Sequence, residues 1–87
     1  MVRVKIEFFA TLREKFGKCI EVECNSIEDC FVKASEILGE EFLKEVMKDG
    51  KIRDDRIITI NGRNIKDELK ELRDGDVIAV FPPIAGG

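Results

Sequence analysis

The main amphipathic helix of this sequence lies between two groups of predicted strands, and that order restricts the fold. Asn25 and Ser26 are N-cap residues with acidic residues behind them, and apolar residues then recur at helical spacing up to Gly39. The apolar stripe consists of Ile27, Cys30, Phe31, Ala34, Ile37 and Leu38. Since one helix of about three turns covers only one face of a sheet, the sequence predicts an α+β domain.

Alternating residues ahead of this helix predict two strands. Over 2–9 and again over 18–24, apolar residues alternate with charged or polar ones, which is typical of strands with one buried face. The short mixed segment 10–16, closed by Gly17, predicts one helical turn between them. The two strands are therefore expected to form an amino-terminal hairpin.

The second half of the sequence predicts the remaining strands. A third strand over 56–60 leads into Asn61-Gly62, a strong hairpin signal, and a brief fourth strand follows through Ile65. Asp74-Gly75-Asp76 predicts another tight turn. The final strand, 77–81, carries no charge, which is typical of a strand near the centre of a sheet.

Two further segments are expected to be helical. Residues 40–48 predict a second helix, which is followed by a turn at Asp49-Gly50. The apolar side of that helix consists of Phe42, Leu43, Val46 and Met47. Leu69 and Leu72 predict one more helical turn before the final strand.

This order of elements outlines a β-grasp (ubiquitin-like) fold, an α+β domain with a mixed sheet of about five strands. We expect the domain to span 1–81, with its main helix on one face of the sheet. Because the first and last strands of a β-grasp sheet are parallel, Phe9 and Phe81 should lie at the same end. Phe8 and Val80 take the core positions, so both rings should form an apolar binding patch on the face away from the helix.

The composition argues against several functional classes. The 87 residues include no His, so no side chain has an unperturbed pKa near neutral and no imidazole is available to bind a metal. The net charge of −3 argues against a nucleic-acid partner. No apolar run approaches the ~18–20 residues of a transmembrane helix. We therefore expect a soluble, cytoplasmic protein without a metal site, a nucleic-acid partner or a membrane partner.

The three cysteines are expected to have no catalytic role. Cys24 and Cys30 fall on inward positions of the predicted strand and helix, where Cys acts as a small hydrophobic residue. Without His, the cysteines do not provide the four ligands that a structural zinc site needs. A disulfide is not expected in a cytoplasmic protein. Cys19 should face outward as a free thiol.

The carboxy-terminal residues carry the strongest functional signal. Pro82-Pro83 have no backbone N–H groups, so they stop sheet pairing and hold the chain extended. The side chains then become smaller in the order Ile84, Ala85, Gly86 and Gly87. We expect 82–87 to be an extended, flexible tail that reaches roughly 20 Å. Such a tail could thread a narrow channel and present the carboxylate of Gly87 as the reacting group.

Three motifs of this sequence are shared with a known family. They are Val4-Lys5-Ile6-Glu7-Phe8-Phe9-Ala10 followed by Leu12-Arg13-Glu14, the turn Asp74-Gly75-Asp76-Val77, and the tail Phe81-Pro82-Pro83-Ile84-Ala85-Gly86-Gly87. Through them, nearly the whole chain resembles the small, sulfur-carrying subunit of molybdopterin synthase, a ubiquitin-like protein of the MoaD/ThiS type.

The resemblance implies a carrier that has no active site of its own and binds no cofactor. A ubiquitin-activating-type adenylyltransferase would use ATP to adenylate the carboxylate of Gly87, and sulfur would displace AMP to leave a thiocarboxylate. The large subunit of molybdopterin synthase would receive the tail and pass the sulfur to a pyranopterin precursor of the molybdenum or tungsten cofactor. The residues implied in partner docking and tail threading are Phe9, Phe81, Pro82, Pro83, Ile84, Ala85 and Gly86.

Three other interpretations stay open. Similar archaeal proteins are ubiquitin-like modifiers that are conjugated to lysines through the terminal glycine. Sulfur carriers of thiazole synthesis also end in Gly-Gly, but they are usually shorter through the helical middle and lack the double proline. The chain could also be a plain interaction module with an incidental Gly-Gly end. Asn64 departs from the synthase pattern, because an aliphatic partner contact is expected at that position.

Overall fold

The computed structural model describes residues 1–67 and 71–83, and these contain a five-stranded mixed sheet. Its strands are β1 (Val2–Phe8), β2 (Cys19–Cys24), β5 (Ile57–Ile60), β6 (Arg63–Asn64) and β7 (Val77–Phe81). Their spatial order is β2-β1-β7-β5-β6, with β1 parallel to β7 and the other neighbours antiparallel. The predicted β-grasp architecture is confirmed, and the uncharged final strand lies at the centre of the sheet.

In the part of the chain that the structure describes, three helices connect and cover the strands. They are α1 (Thr11–Phe16), α2 (Ile27–Leu38) and α3 (Glu40–Val46). The predicted start of the main helix is confirmed, because the Ser26 hydroxyl accepts a hydrogen bond of 3.1 Å from the Asp29 N–H. The Asp29 carboxylate in turn accepts one of 2.8 Å from the Asn25 N–H. The expected helical turn through Leu69 and Leu72 falls partly on 68–70, which lie outside the described residues.

The core lies between the sheet and the helices α2 and α3. Its largest side chains are three phenylalanines, all fully buried: Phe8 of β1 from the sheet, and Phe31 of α2 and Phe42 of α3 from the helices. The Phe42 ring makes edge contacts with Phe8 and Phe31, at centroid distances of 5.5 and 5.8 Å. Edge-to-face aromatic contacts of this kind add to the stabilisation from burial alone.

The prediction of a helix over 40–48 is wrong at its carboxyl end. Met47–Lys48 (β3) is a strand that pairs with Lys51–Ile52 (β4) in a separate two-stranded sheet. The turn between them is the predicted one, and Asp49 and Gly50 both have positive φ, 55° and 77°. A two-residue turn with two positive φ values matches the twist of a hairpin, so the chain folds back there.

A buried carboxylate fixes the start of the central strand. Asp76 accepts hydrogen bonds from the Asn61 side-chain amide, at 2.8 Å, and from the Arg73 N–H, at 2.9 Å. The Asn61 side-chain oxygen accepts one of 2.9 Å from the Val77 N–H. The predicted turn at Asp74-Gly75-Asp76 is therefore tied to the predicted Asn61-Gly62 turn, which aligns β7 with β5.

The expectation about the buried cysteines is only partly correct. Cys24 and Cys30 are fully buried core residues, as predicted, but they are joined by a disulfide, which was not expected. Cys24 ends β2 and Cys30 lies in the first half of α2, which places their Cα atoms 5.1 Å apart. That separation is within the range of ordinary disulfides. Cys19 is a free, exposed cysteine, as predicted.

We predict that reduction of this disulfide destabilises the protein by about 2 kcal/mol, the value expected for a short closed loop. The measurement is denaturant unfolding of the wild-type protein with and without reductant. The Cys24→Ala/Cys30→Ala double variant should be insensitive to the reductant, whereas Cys19→Ser should respond like the wild type. An unchanged wild-type midpoint would contradict the prediction.

Candidate docking surface and tail

The side-chain alternation of the two central parallel strands places two phenylalanines on the open face of the sheet. Phe8 and Val80 are register partners, and both are fully buried beneath the helices. Phe9 and Phe81 follow them directly and point to the opposite face. Their rings are stacked, with centroids 4.6 Å apart and an interplanar angle of 12°. The predicted proximity of Phe9 and Phe81 is confirmed.

Ile57 extends this apolar area. It is the Cα partner of Phe81 in the β5–β7 pair, and 37% of its surface is exposed. Ile58 and Ile60 alternate with it and are buried. We call Phe9, Ile57 and Phe81 the docking surface, because neighbouring apolar side chains on an exposed sheet face are typical of a protein-binding site.

The sequence did not identify Ile57 as part of this surface. The segment Ile57–Ile60 contains three isoleucines and one threonine, so its hydrophobic pattern does not say which residues point inward. The usable signal was the short Asn61-Gly62 turn, because it sets the register of β5 against β6.

The tail begins directly at the docking surface. Pro82 is half-buried beyond Phe81, and Pro83 is exposed. The other residues expected in tail threading and sulfur transfer lie outside the described residues: Ile84, Ala85, Gly86 and Gly87. Their roles and the expected flexibility of the tail therefore stay predictions.

Asn64 makes local contacts with the backbone of its own segment. Its side-chain oxygen accepts a hydrogen bond of 2.9 Å from the Lys66 N–H, and its Cα pairs with Thr59. An amide used in this way shapes the chain after β6 and supplies no aliphatic contact. This position therefore differs in chemistry from the aliphatic contact that the resemblance implies.

An ionic cluster supports the strand that carries Ile57. The Arg56 guanidinium is mostly buried and pairs with Glu45 of α3, at 3.3 Å, and with Asp55, at 3.1 Å. Arg53 also donates two hydrogen bonds to the Asp55 carboxylate, at 3.0 and 2.8 Å. Because Arg56 directly precedes Ile57, these contacts fix the start of β5 beside the end of β7.

The same cluster changes two ionisation equilibria. The hydrogen bonds from Arg53 hold the pKa of Asp55 below its ordinary value, and the nearby Arg56 charge acts in the same direction. The hydrogen bond to Asp55 in turn raises the pKa of Arg53. Since the folded-state pKa of Asp55 is lowered, its contribution to stability is present above its ordinary pKa and is lost as the pH falls through the folded-state value.

No three His, Cys, Asp or Glu side chains within 1–67 and 71–83 are grouped as metal ligands would be. Among the described residues, no helix is long and apolar enough to cross a membrane. The candidate functional site is the docking surface, from which the chain continues directly into Pro82 and Pro83.

The chain belongs to the ThiS family, whose model matches residues 6–87. It is thus a ubiquitin-like protein in the group that includes sulfur carriers and small archaeal modifiers. Small archaeal modifier protein 3 of Haloferax volcanii is 29% identical over 92 residues, which cover 99% of this chain and 100% of the relative. A putative sulfur carrier protein of Archaeoglobus fulgidus is 31% identical over 71 residues, which cover 78% of this chain and 81% of the relative.

Solved structures that resemble this chain include a small archaeal modifier and subunits of molybdopterin-converting factors. Small archaeal modifier protein 1 of Methanosarcina acetivorans superposes with a TM-score of 0.84 and is 26% identical, over 100% of this chain and 98% of that one. A putative molybdopterin converting factor, subunit 1, of Pyrococcus furiosus has a TM-score of 0.71 and is 37% identical, over 97% and 100%. A chain from the complex of subunits 1 and 2 of the Helicobacter pylori molybdopterin-converting factor has a TM-score of 0.60 at 29% identity, over 99% and 100%.

We predict that Phe81→Ala leaves the fold intact but weakens binding to the adenylating enzyme expected from the resemblance by at least ~1 kcal/mol, as loss of an anchor residue does. The fold should persist because the Phe81 ring lies on the open face and its backbone pairing with Ile57 is retained. Calorimetric titration measures the affinity, and circular dichroism checks the fold.

The matched control is Ile37→Ala, which shortens an apolar side chain that is 63% exposed on α2. This variant should bind like the wild type. Equal affinity of folded Phe81→Ala and Ile37→Ala would remove the docking surface from the account.

Proposed function

We propose that this protein is the sulfur carrier of molybdopterin biosynthesis and acts as the small subunit of molybdopterin synthase. The observation that carries the proposal is the position of the Phe9–Phe81 stack at the root of a tail that ends in Gly86-Gly87. The family match extends through Gly87, so it includes the tail. A partner could therefore bind the sheet face and receive the tail at the same time.

The choice of molybdopterin rests on two similarities. The Pyrococcus furiosus structure, described as a putative molybdopterin converting factor subunit, shares 37% of its residues with this chain. The Helicobacter pylori structure is a complex of subunits 1 and 2 of such a factor. Both support a large synthase subunit as one partner of this chain.

The chemistry of the proposed carrier depends on activation of a poor electrophile. Sulfide and amines do not displace oxygen from a carboxylate at a useful rate. Attack of the Gly87 carboxylate on the α-phosphate of ATP would release pyrophosphate and leave an acyl adenylate, from which AMP can depart. Hydrosulfide, or a donor of sulfur at the same oxidation level, would then displace AMP and lose its proton to give the thiocarboxylate. All acid–base groups for these steps would belong to the partner enzymes, which agrees with the lack of His in this chain.

A small penultimate residue is needed if the carboxylate enters a narrow channel. We predict that deletion of Gly87, or replacement of Gly86 by a large residue such as Phe, abolishes activation with almost no change in thermal stability. The measurement is the intact mass after incubation with the activating enzyme, ATP and a sulfur donor, which should rise by about 16 Da in the wild type, because sulfur replaces oxygen.

Ala85→Gly is the control, because it changes the tail without adding bulk or removing the carboxylate, and it should be activated. A gain of about 16 Da by the Gly87 deletion would mean that the new terminal carboxylate of Gly86 is activated, which would contradict the need for Gly87. A gain of about 32 Da would indicate a persulfide, with the exposed thiol of Cys19 as the first site to examine, and would overturn the carrier proposal.

A second candidate function is protein modification. It is favoured by the small archaeal modifier proteins, which match over 99% and 100% of this chain. The same acyl adenylate would then be attacked by a lysine amine, and the product would be an isopeptide. Conjugates of higher mass, recovered from cells and containing Gly87 linked to lysine, would support this function, whereas thiocarboxylate alone is compatible with both.

A further inference from the structure

One arginine at the edge of the docking surface belongs to a helix whose backbone is anchored to the domain. Arg13 belongs to α1, and its N–H donates a hydrogen bond of 3.0 Å to Ala10, while its carbonyl oxygen accepts one of 3.0 Å from Gly17. The preceding residue, Leu12, is buried in the core. The backbone of Arg13 is thus anchored to the domain, although its side chain is exposed.

The side chain of Arg13 lies against the docking surface. The central carbon of its guanidinium is 5.9 Å from the centroid of the Phe9 ring, and the same ring stacks on Phe81. A guanidinium above an aromatic ring is attracted by the negative face of the ring. Such a contact restrains the side chain and leaves N–H donors at its edge available for another group.

Arg13 has no carboxylate partner within 1–67 and 71–83. Other arginines among the described residues do: Arg3 lies 3.9 Å from Glu21, and Arg53 and Arg56 both pair with Asp55. The acidic residues near Arg13 in the sequence, Glu7 and Glu14, form no ion pair with it. The arginine at the docking surface is therefore restrained by an aromatic ring and is free to bind an anion.

The length of the tail limits which anion could reach Arg13 in a complex. Six residues follow Phe81, and an extended chain of that length spans roughly 20 Å. When the tail is threaded, the Gly87 carboxylate and the ATP that activates it are far from the tail root. An anion that meets Arg13 there would come from the protein surface that covers Phe9 and Phe81.

We propose that Arg13 is a specificity-determining contact for the activating enzyme and accepts an Asp or Glu carboxylate that borders an apolar surface on that enzyme. This inference rests on the proposed function and names the chemistry of the partner. The planar guanidinium can bind a carboxylate through two parallel hydrogen bonds. Docking would remove water from this pair, so a partner that lacks the carboxylate would leave a buried charge unpaired.

A lysine at position 13 should preserve only part of the docking efficiency. An ammonium group keeps the positive charge but loses the planar fork and stacks less well on an aromatic ring. The expected order of docking efficiency is therefore wild type, then Arg13→Lys, then Arg13→Met. Methionine keeps much of the apolar stem and removes the charge, so the fold should be unaffected.

The test measures ATP-dependent thiocarboxylate formation with the activating enzyme encoded in the same genome, at several carrier concentrations. Arg13→Met should lower kcat/KM roughly tenfold through KM, with kcat within about twofold of the wild type. Arg13→Lys should be intermediate. The matched control is Arg3→Met, which removes an exposed arginine from the far end of β1 and should stay within about twofold of the wild type. Added salt should reduce the difference between wild type and Arg13→Met.

The outcomes separate the two proposals. If the wild type is activated and Arg13→Met matches Arg3→Met, the inference about Arg13 is wrong and the carrier function stands. If the wild type is never activated, both proposals are wrong. A change in the Arg13 Nε–H resonance when Gly87 is deleted from the isolated protein would show that the tail carboxylate is the partner of Arg13, and would also overturn the inference. Concentration-dependent self-association that Arg13→Met abolishes would do the same.

Discussion

The parallel pairing of β1 with β7 is the constraint on which the rest of the structure depends. It aligns Lys5 with Val77 and Phe8 with Val80, and so joins the two ends of the sequence at the centre of one sheet. Local hydrogen bonding cannot produce this pairing, which needs the helices and the second hairpin to bridge the strands. Its consequence is that Phe9 and Phe81 meet at the same end of the sheet, where the tail begins.

The two faces of the sheet differ because one of them is covered. The helices α2 and α3 pack on one face and supply Phe31 and Phe42 to the core. The other face keeps the docking surface of Phe9, Ile57 and Phe81 accessible. Under the proposed function, a partner that binds this surface would hold the tail root in place and present the Gly87 carboxylate at a high effective concentration. The partner would then supply the catalytic groups, and the carrier would need none of its own.

Much of this arrangement could be predicted from the sequence, because polar and apolar residues alternate clearly along a strand that has one polar face. Charged residues alternate with apolar ones through β1, which determined which way Phe8 and Phe9 point. Ile57 could not be assigned in the same way, since its strand is apolar on both faces.

Other features depended on contacts between distant segments. Met47 continues the helical spacing of Phe42 and Leu43, so the pattern extended α3 beyond its true end at Val46. The hairpin of β3 and β4 forms because the positive φ values of Asp49 and Gly50 reverse the chain. The disulfide of Cys24 and Cys30 depends on how closely α2 approaches the end of β2, and residue spacing alone does not give that distance.

The most direct test of the central claim is sulfur transfer from the thiocarboxylated protein to a pyranopterin precursor. The protein that carries a thiocarboxylate at Gly87 is incubated with the large synthase subunit of the same organism and with the precursor. The intact mass of the carrier is then followed. The account predicts that the carrier loses about 16 Da, as carboxylate replaces thiocarboxylate, only when both components are present, and that a dithiolene appears in the pterin. A carrier that keeps its sulfur under these conditions, while it forms isopeptide conjugates in cell extract, would contradict the account.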